Sequence, residues 1–536
     1  MVVEAGREAF ERRAWGAAYE HLSGGGELGP EDLERLAIAA NLTGHDAECL
    51  AAWEQAHEAF LRDGDARGAA RCAFWTGFTL LLHGHMAQAG GWLARAERAL
   101  AEVGECSTSG FLLVPVFLEA LGSGQVDQAR SLADRIVDMA RRCDDPDLLA
   151  LGLLCQGEAA IAVGQTAAGM RLLDDAMVSV TTGEVSSVPA GIVYCGVIGA
   201  CVDAYDLRRA AEWTEALTHW CDQQPDLVPF RGQCLVHRSQ VLQAHGSWPD
   251  AAEAAEEALR YLSPPGHPSV GAALYQLGEL HRLRGEHAAA ERAYREASRH
   301  GREPSPGFEL LRLAQGRVGA AVASIQRVVE ETRGQRTHPA MLATAVEVLL
   351  SAGDGAAARD ASDALRLLVT AGQVAPYVQA MDAYCSGSVL LAEGDAMGAL
   401  VDLRRAGAAW RELGMPYDAA RASVQIARAC RALSDHDAAD RQLESALETF
   451  ERLGARTDLA RAGRLGRSSS GAAGVLTERQ CDVLRAVATG KSNREVAAVL
   501  GISEHTVARH LQNIFTKLDL PSRAAATSYA HEHGLI

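Results

Sequence analysis

Between residues 30 and 457 the helical apolar pattern is interrupted at a nearly constant interval by a chain break, with a small residue five positions later. The pairs are Gly44/Cys49, Gly84/Ala89, Gly124/Ala129, Gly164/Gly169, Tyr205/Ala210 and Gly246/Ala251. They continue as Gly285/Ala290, Gly316/Ala321, Gly353/Ala358, Gly394/Ala399 and Ser434/Ala439. Breaks stand about 40 residues apart, except for gaps of 31 before Gly316 and 37 before Gly353. Such a period predicts stacked helical hairpins, because one hairpin cannot bury its own apolar face and must share it with its neighbours. The break turns the chain between antiparallel helices, and the small residue lets them approach closely. Arg13-Ala14-Trp15-Gly16-Ala17-Ala18 reads as a degenerate twelfth unit capping the stack. Pro304 to Leu313 leaves a short first helix before Gly316, read either as a kink or as a tolerated local deletion.

The pattern changes after Arg456. It fades into Arg461-Ala-Gly-Arg464-Leu-Gly-Arg467-Ser-Ser-Ser-Gly-Ala-Ala-Gly474, whose Gly/Ser content predicts a flexible tether over 458–474. Three closely spaced helices are then predicted. Thr477 with Gln480, and Ser492 with Glu495, each have the spacing of a capping box. Gly501 suits a tight turn, and Ser503 can cap the helix that follows. In that helix Val507, Leu511, Ile514 and Leu518 form the packed stripe and Glu504, Ala508, Arg509 and Gln512 the exposed one. A short capped helix, a tight turn and a longer helix with a polar outer face describe a helix-turn-helix, whose second helix enters the DNA major groove.

Charge separates the same two regions. Residues 475–536 carry seven basic and six acidic side chains, a net +1, whereas the whole chain is −18, so residues 1–474 hold −19. The long part should therefore repel DNA, and the short part is merely less hostile to it. Both lysines of the chain, Lys491 and Lys517, fall in the short part. The twelve cysteines include no C-x-x-C pair and read as reduced core residues, which points to the cytoplasm. No export signal or membrane span is predicted.

Candidate chemistry elsewhere fails on spacing. Gly490-Lys491-Ser492 ends like a phosphate-binding loop, but Arg485 stands where its first glycine belongs. Asp144-Asp145-Pro146-Asp147 lacks the further acid of a D-D-x-x-D motif, which would be Leu148, and reads as a solvated turn. Asp174-Asp175 reads as helix surface. Cys234 with His237, or His531 with His533, offer two metal ligands each and no second pair. No nucleophile setting of the G-x-S-x-G kind occurs. No enzyme, metal site or cofactor is expected.

The array resembles the tetratricopeptide repeat family, most closely from Gly246 to Leu259 and from Gly285 to Ala297. Its period is longer than that family's and the full aromatic signature is missing, so the resemblance is to a TPR-like array. It implies an all-α solenoid over residues 1–457 with a concave surface for a protein, peptide or small-molecule ligand.

Residues 475–536 resemble the LuxR-type helix-turn-helix domain of bacterial regulators. The match runs through Leu476, Thr477, Arg479, Gly490, Ser492, Asn493, Glu495, Ala497, Leu500, Ile502, Ser503, Thr506, Val507, His510, Ile514, Lys517 and Leu518, and then Ser522 and Arg523. The resemblance implies base contacts at Ala508, Arg509 and Gln512. Arg can pair with guanine O6 and N7, Gln with adenine N6 and N7, and the Ala methyl can meet a thymine methyl. It also implies backbone phosphate contacts at Ser492, Asn493, Ser503, Thr506, His510, Asn513 and Lys517, with capping and packing as competing roles for Thr506 and His510. A fourth helix from about Ser522 to His533 would pair two domains on two-fold sites in double-stranded DNA through Ala525, Ala526 and Tyr529.

Two positions depart from the family pattern. Ala508 stands where Lys or Arg is usual, and Gln480 replaces the common Glu. The first departure implies weak intrinsic affinity and reliance on dimerisation or arrays of sites. The layout resembles the large ATP-binding LuxR-type activators without their ATPase part. It implies a cytoplasmic transcription regulator that contacts RNA polymerase and whose array senses a ligand or partner. A repeat scaffold in which DNA binding is secondary is the alternative.

Overall fold

The computed structural model describes residues 2–101, 103–224, 226–262, 269–333, 338–372, 374–468, 476–518 and 520–532. These residues form helices and turns with no strand among them. They divide into two compact units, Met1–Thr457 and Asp458–Ile536.

The larger unit is a TPR-like α-solenoid of antiparallel helical hairpins. All eleven breaks named above have positive φ, from +61° at Tyr205 to +93° at Gly394. All eleven small residues five positions later are buried. Gly169 shows why size matters there: a Cβ would lie 2.6 Å from the Gly157 carbonyl oxygen and 2.6 Å from Ile161 Cγ1. The first unit obeys the same rule. Arg13 has φ +58°, Ala18 is fully buried, and helices Val2–Glu11 and Trp15–Ser23 pack as a hairpin. Side-chain caps add local definition at several helix starts, where Asp65, Asp206, Asp354, Asp395 and Asp435 each accept a backbone N–H of the first turn.

Proline shapes two first helices. That of the fourth unit is split into Ser107–Phe111 and Leu113–Gly122. Pro115 lies four residues beyond Phe111, whose carbonyl therefore has no N–H to accept at that spacing. In the irregular unit the first helix is only Gly307–Ala314, eight residues long and preceded by Pro304 and Pro306.

The solenoid coils tightly enough for its own turns to meet. Trp15 Nε1 donates to Gln224 Oε1 at 2.9 Å across 209 residues, and a His287 ring nitrogen lies 3.2 Å from Thr457 Oγ1 across 170. The Val228 N–H donates to the Leu42 carbonyl at 2.9 Å. Tyr205 stacks on Tyr377 at 5.6 Å, and Trp248 meets Tyr417 edge-on at the same distance. Hairpin turns thus touch the starts of helices four to five units later. Gly44 serves both demands at once: its φ is +76°, and a Cβ would come within 2.9 Å of Val228 Cγ1.

The expected tether needs correction over its first part. Residues 458–468 continue a helix, Arg456–Ser468, with Ala462 buried; Leu459, Ala460, Arg461, Ala462, Arg464 and Leu465 are strong helix formers that outweigh the two glycines. Residues 469–475 lie outside the described ones. The turn at 144–147 is also less solvated than expected, since Asp147 is half-buried and accepts from both Ser186 N and Oγ.

All twelve cysteines are free and ten are buried. Burial pushes the thiols of Cys49, Cys201, Cys221 and Cys385 up to about 12. Among the described residues no group of three or more His, Cys, Asp or Glu side chains could hold a metal ion. Cys234 and His237 are instead buried beside Thr218 and Gln240, while His533 lies outside the described residues. No described helix is long and apolar enough to cross a membrane.

Candidate nucleic-acid interface

The terminal domain holds four short helices, Glu478–Ala488, Asn493–Leu500, Glu504–Leu518 and Arg523–Glu532. Reciprocal caps begin the first two. Thr477 Oγ1 accepts from Gln480 N while Gln480 Oε1 accepts from Thr477 N, and Ser492 and Glu495 make the same exchange. Gly501, with φ +65°, ends the second helix, and Ser503 Oγ accepts from Thr506 N at 3.1 Å to start the third. Each turn is therefore closed by its own side chains.

The core joins all four helices. Val483, Leu484 and Val487 pack with Val496, Val507, Leu511, Ile514, Ala526 and Ala530. Val507, Leu511 and Ile514 hold the third helix inward. Helical geometry then turns Ala508, Arg509 and Gln512 outward, and all three are exposed. Arg509 has neither a hydrogen bond nor an ion pair among the described residues, so its guanidinium is available to an acceptor outside the chain. Ser492, Ser503, Asn513 and Lys517 are exposed as well, and Asn493, Thr506 and His510 are half-buried.

Several of these groups already have partners. Thr506 contributes its N–H and hydroxyl to the Ser503 cap. Lys517 Nζ donates to Gln480 Oε1 at 3.1 Å, so the Gln that replaces Glu both completes the first capping box and receives this lysine. Asn493 Oδ1 accepts from Arg523 Nη1 at 2.7 Å. His510 Nδ1 is buried without a hydrogen-bond partner among the described residues. Burial, with Arg509 and Arg479 nearby, holds the imidazole below its ordinary value and therefore neutral.

Four residues outside the expected contact set matter to the site. Arg523 donates to Asn493 and to the Lys491 carbonyl, tying the fourth helix to the start of the second. Arg479 donates to the Leu500 carbonyl and ties the first helix to the end of the second. His505 and Thr516 are exposed on the stripe of Arg509 and Gln512. Their spacing of four residues from Arg509 and from Gln512 was the available signal.

The expected pairing face needs one correction. Ala526 is fully buried in the domain's own core because the first and fourth helices pack together, which removes it from any contact surface. Ala525 and Tyr529 are half-buried at the edge of that core.

Four helices around one core, a tight turn between the second and third, and an outward polar face on the third define a DNA-binding helix-turn-helix. Residues 474–530 match the family described as "Bacterial regulatory proteins, luxR family", and the terminal domain is a LuxR-type helix-turn-helix domain. It is 55% identical over 53 residues to the nitrate/nitrite response regulator protein NarP of Escherichia coli, covering 10% of this chain and 25% of NarP. It is 47% identical over 60 residues to the transcriptional regulatory protein YhcZ of Bacillus subtilis, covering 11% and 28%. Against the response regulator protein VraR of Staphylococcus aureus it is 42% identical over 62 residues, covering 12% and 30%. The chain thus spans between a quarter and a third of the length of these relatives. Over the wider chain, the structure described as "Crystal structure of APC/C hetero-tetramer Cut9-Hcn1" aligns at 14% identity with TM-score 0.40, covering 85% of this chain and 95% of that one. Yeast Tom70 aligns at 12% identity with TM-score 0.29, covering 88% and 96%.

Proposed function

We propose that the chain is a sequence-specific transcription regulator that reads DNA through Arg509 and Gln512 and is controlled through its solenoid. The observation that carries this reading is the unpartnered, exposed Arg509 on the outer face of a helix whose opposite face is locked into the core. Arg509 would pair with guanine, Gln512 with adenine, and Ala508 would meet a thymine methyl. Ser492, Ser503, Asn513 and Lys517 would set register on phosphates, joined by Asn493 and Thr506 where their internal hydrogen bonds permit. His510, half-buried and neutral, fits packing better than phosphate pairing.

Ala508 leaves the face one charge short of its family's usual pattern, which favours binding as a dimer on two-fold sites in double-stranded DNA. Ala525 and Tyr529 remain the candidate pairing residues on the fourth helix. The −19 charge of residues 1–474 favours a regulator whose solenoid meets a ligand or a protein such as RNA polymerase rather than the DNA itself.

The test is to compare Arg509→Ala with the parent chain in DNA binding and in promoter output in the same cells. Loss of both supports the regulator. Loss of DNA binding with output unchanged favours the scaffold reading, in which the solenoid carries the function.

A further inference from the structure

The first units of the solenoid enclose a cavity of about 430 Å³, well within the size range of small-molecule sites. Aromatic residues make up 5% of the chain, yet Phe10, Trp15, Trp53, Trp75 and Phe111 all line this one space. They come from helices and turns of the first four hairpins, so only the folded array brings them together. Phe10 and Trp15 meet edge-on at 5.3 Å, and Trp75 and Phe111 lie 5.9 Å apart. Trp15, Trp53 and Phe111 are largely buried, whereas Trp75 is half-buried.

The charge around these rings is not balanced. Four carboxylates and two guanidiniums line the cavity. Glu34 and Arg71 cancel, joined by two hydrogen bonds of 2.6 and 2.8 Å. That leaves Glu11, Asp145 and Asp147 against Arg13, none of them in an ion pair among the described residues. Asp145 is accounted for in part, because it caps the Leu148 N–H at 2.9 Å. Asp147 takes hydrogen bonds only from Ser186, at 2.7 and 2.6 Å. Burial raises its carboxyl above the ordinary range, Ser186 opposes that, and the charge of Asp145 adds to it. A carboxylate partly stripped of water beside a like charge gains most from an arriving cation. Tryptophan faces attract the same kind of group through their ring quadrupoles. A bare metal ion would use neither the rings nor the volume.

We propose that this cavity is a ligand site for an organic cation, an amine or quaternary ammonium on an apolar body, its charge beside Asp147 and Glu11 and its body against Trp15 and Trp75. The inference deepens the sensing half of the proposed function and rests on it. The site spans from Phe10 to Pro189, so a bound ligand braces the first hairpin against units two to six.

The test titrates the full chain at constant ionic strength with benzyltrimethylammonium, and separately with benzyl alcohol and with benzoate. Tryptophan fluorescence and the thermal midpoint report binding. The cation should bind saturably, roughly tenfold or more tighter than the alcohol, and benzoate should not saturate. Asp147→Asn and Trp75→Leu should each weaken the cation by at least about threefold while the helical circular dichroism is retained. Equal binding of the alcohol or benzoate, an unchanged affinity in both variants, or no saturable cation binding below about 10 mM overturns the proposal. DNA binding measured on the same samples separates the two readings. Arg509→Ala should lose DNA and keep the cation, and failure of the cation alone leaves the DNA reading standing.

Discussion

The solenoid and the terminal domain are both built from helices joined by tight turns, but they define those turns to different degrees. In the solenoid a turn needs positive φ, and Gly, Tyr205 or Ser434 can supply it; five residues on, any small side chain allows the close approach. In the terminal domain Gly490 and Gly501 have positive φ as well, but each helix start is in addition closed by a pair of side chains: Thr477 with Gln480, Ser492 with Glu495, Ser503 with Thr506. Arg479 and Arg523 then fasten one helix to another through backbone carbonyls. The array thus repeats a backbone period, whereas the small domain fixes its helix starts with specific polar side chains. The buried core is spread across the first region, and the recognition we propose is concentrated on one face of the second.

The largest effect that would break this contrast lies in the array. Trp248 is fully buried, donates to the Gln243 carbonyl at 3.1 Å and packs on Tyr417. Trp248→Ala should cost about 3–5 kcal/mol in denaturant unfolding of the array and leave DNA affinity unchanged. A parallel loss of DNA affinity would show that the two regions are not separable in this way. Next comes Arg509→Ala, with roughly 1–3 kcal/mol lost in binding to the preferred DNA site and no shift in the thermal midpoint. A smaller effect is expected at a cap. Ser492→Ala should destabilise the terminal domain by about 1 kcal/mol, seen as a lower denaturation midpoint for that domain alone.

The smallest effect is a pH dependence. His510 is held below its ordinary value of 6.5 in the folded domain, so the unfolded chain takes up the proton at higher pH. Its contribution to stability is therefore complete above about pH 6.5 and is lost as the pH falls through the lower folded value. His510→Gln should flatten that part of the stability profile, as followed by thermal melts between pH 7.5 and pH 5 (roughly the span of histidine titration).

Much of this was legible because the relevant signals are local. A break and a small residue five apart mark each hairpin whatever surrounds them, and they located even the first unit from Arg13 and Ala18. Capping spacings likewise marked the starts of three helices in the terminal domain. What escaped involves residues distant in sequence. No local pattern pairs Arg421 with Glu347 across 74 residues, or brings Phe10 to Trp75 and Asp147 around one cavity. The resemblance places Ala526 on a pairing surface, whereas packing of the fourth helix on the first, a contact between residues distant in sequence, buries it. Glycine and serine further along dominate the composition of 458–474 and mask the helix through 458–468.

The central claim is that DNA recognition in this chain resides in the outer face of helix Glu504–Leu518 and nowhere in the array. Selection of binding sites from a random DNA pool by the full chain, repeated with Arg509→Ala, tests it most directly. The account predicts a two-fold motif with a guanine at a fixed place in each half, and loss of that guanine preference in the variant. Recovery of the same motif with the same guanine by Arg509→Ala would contradict it.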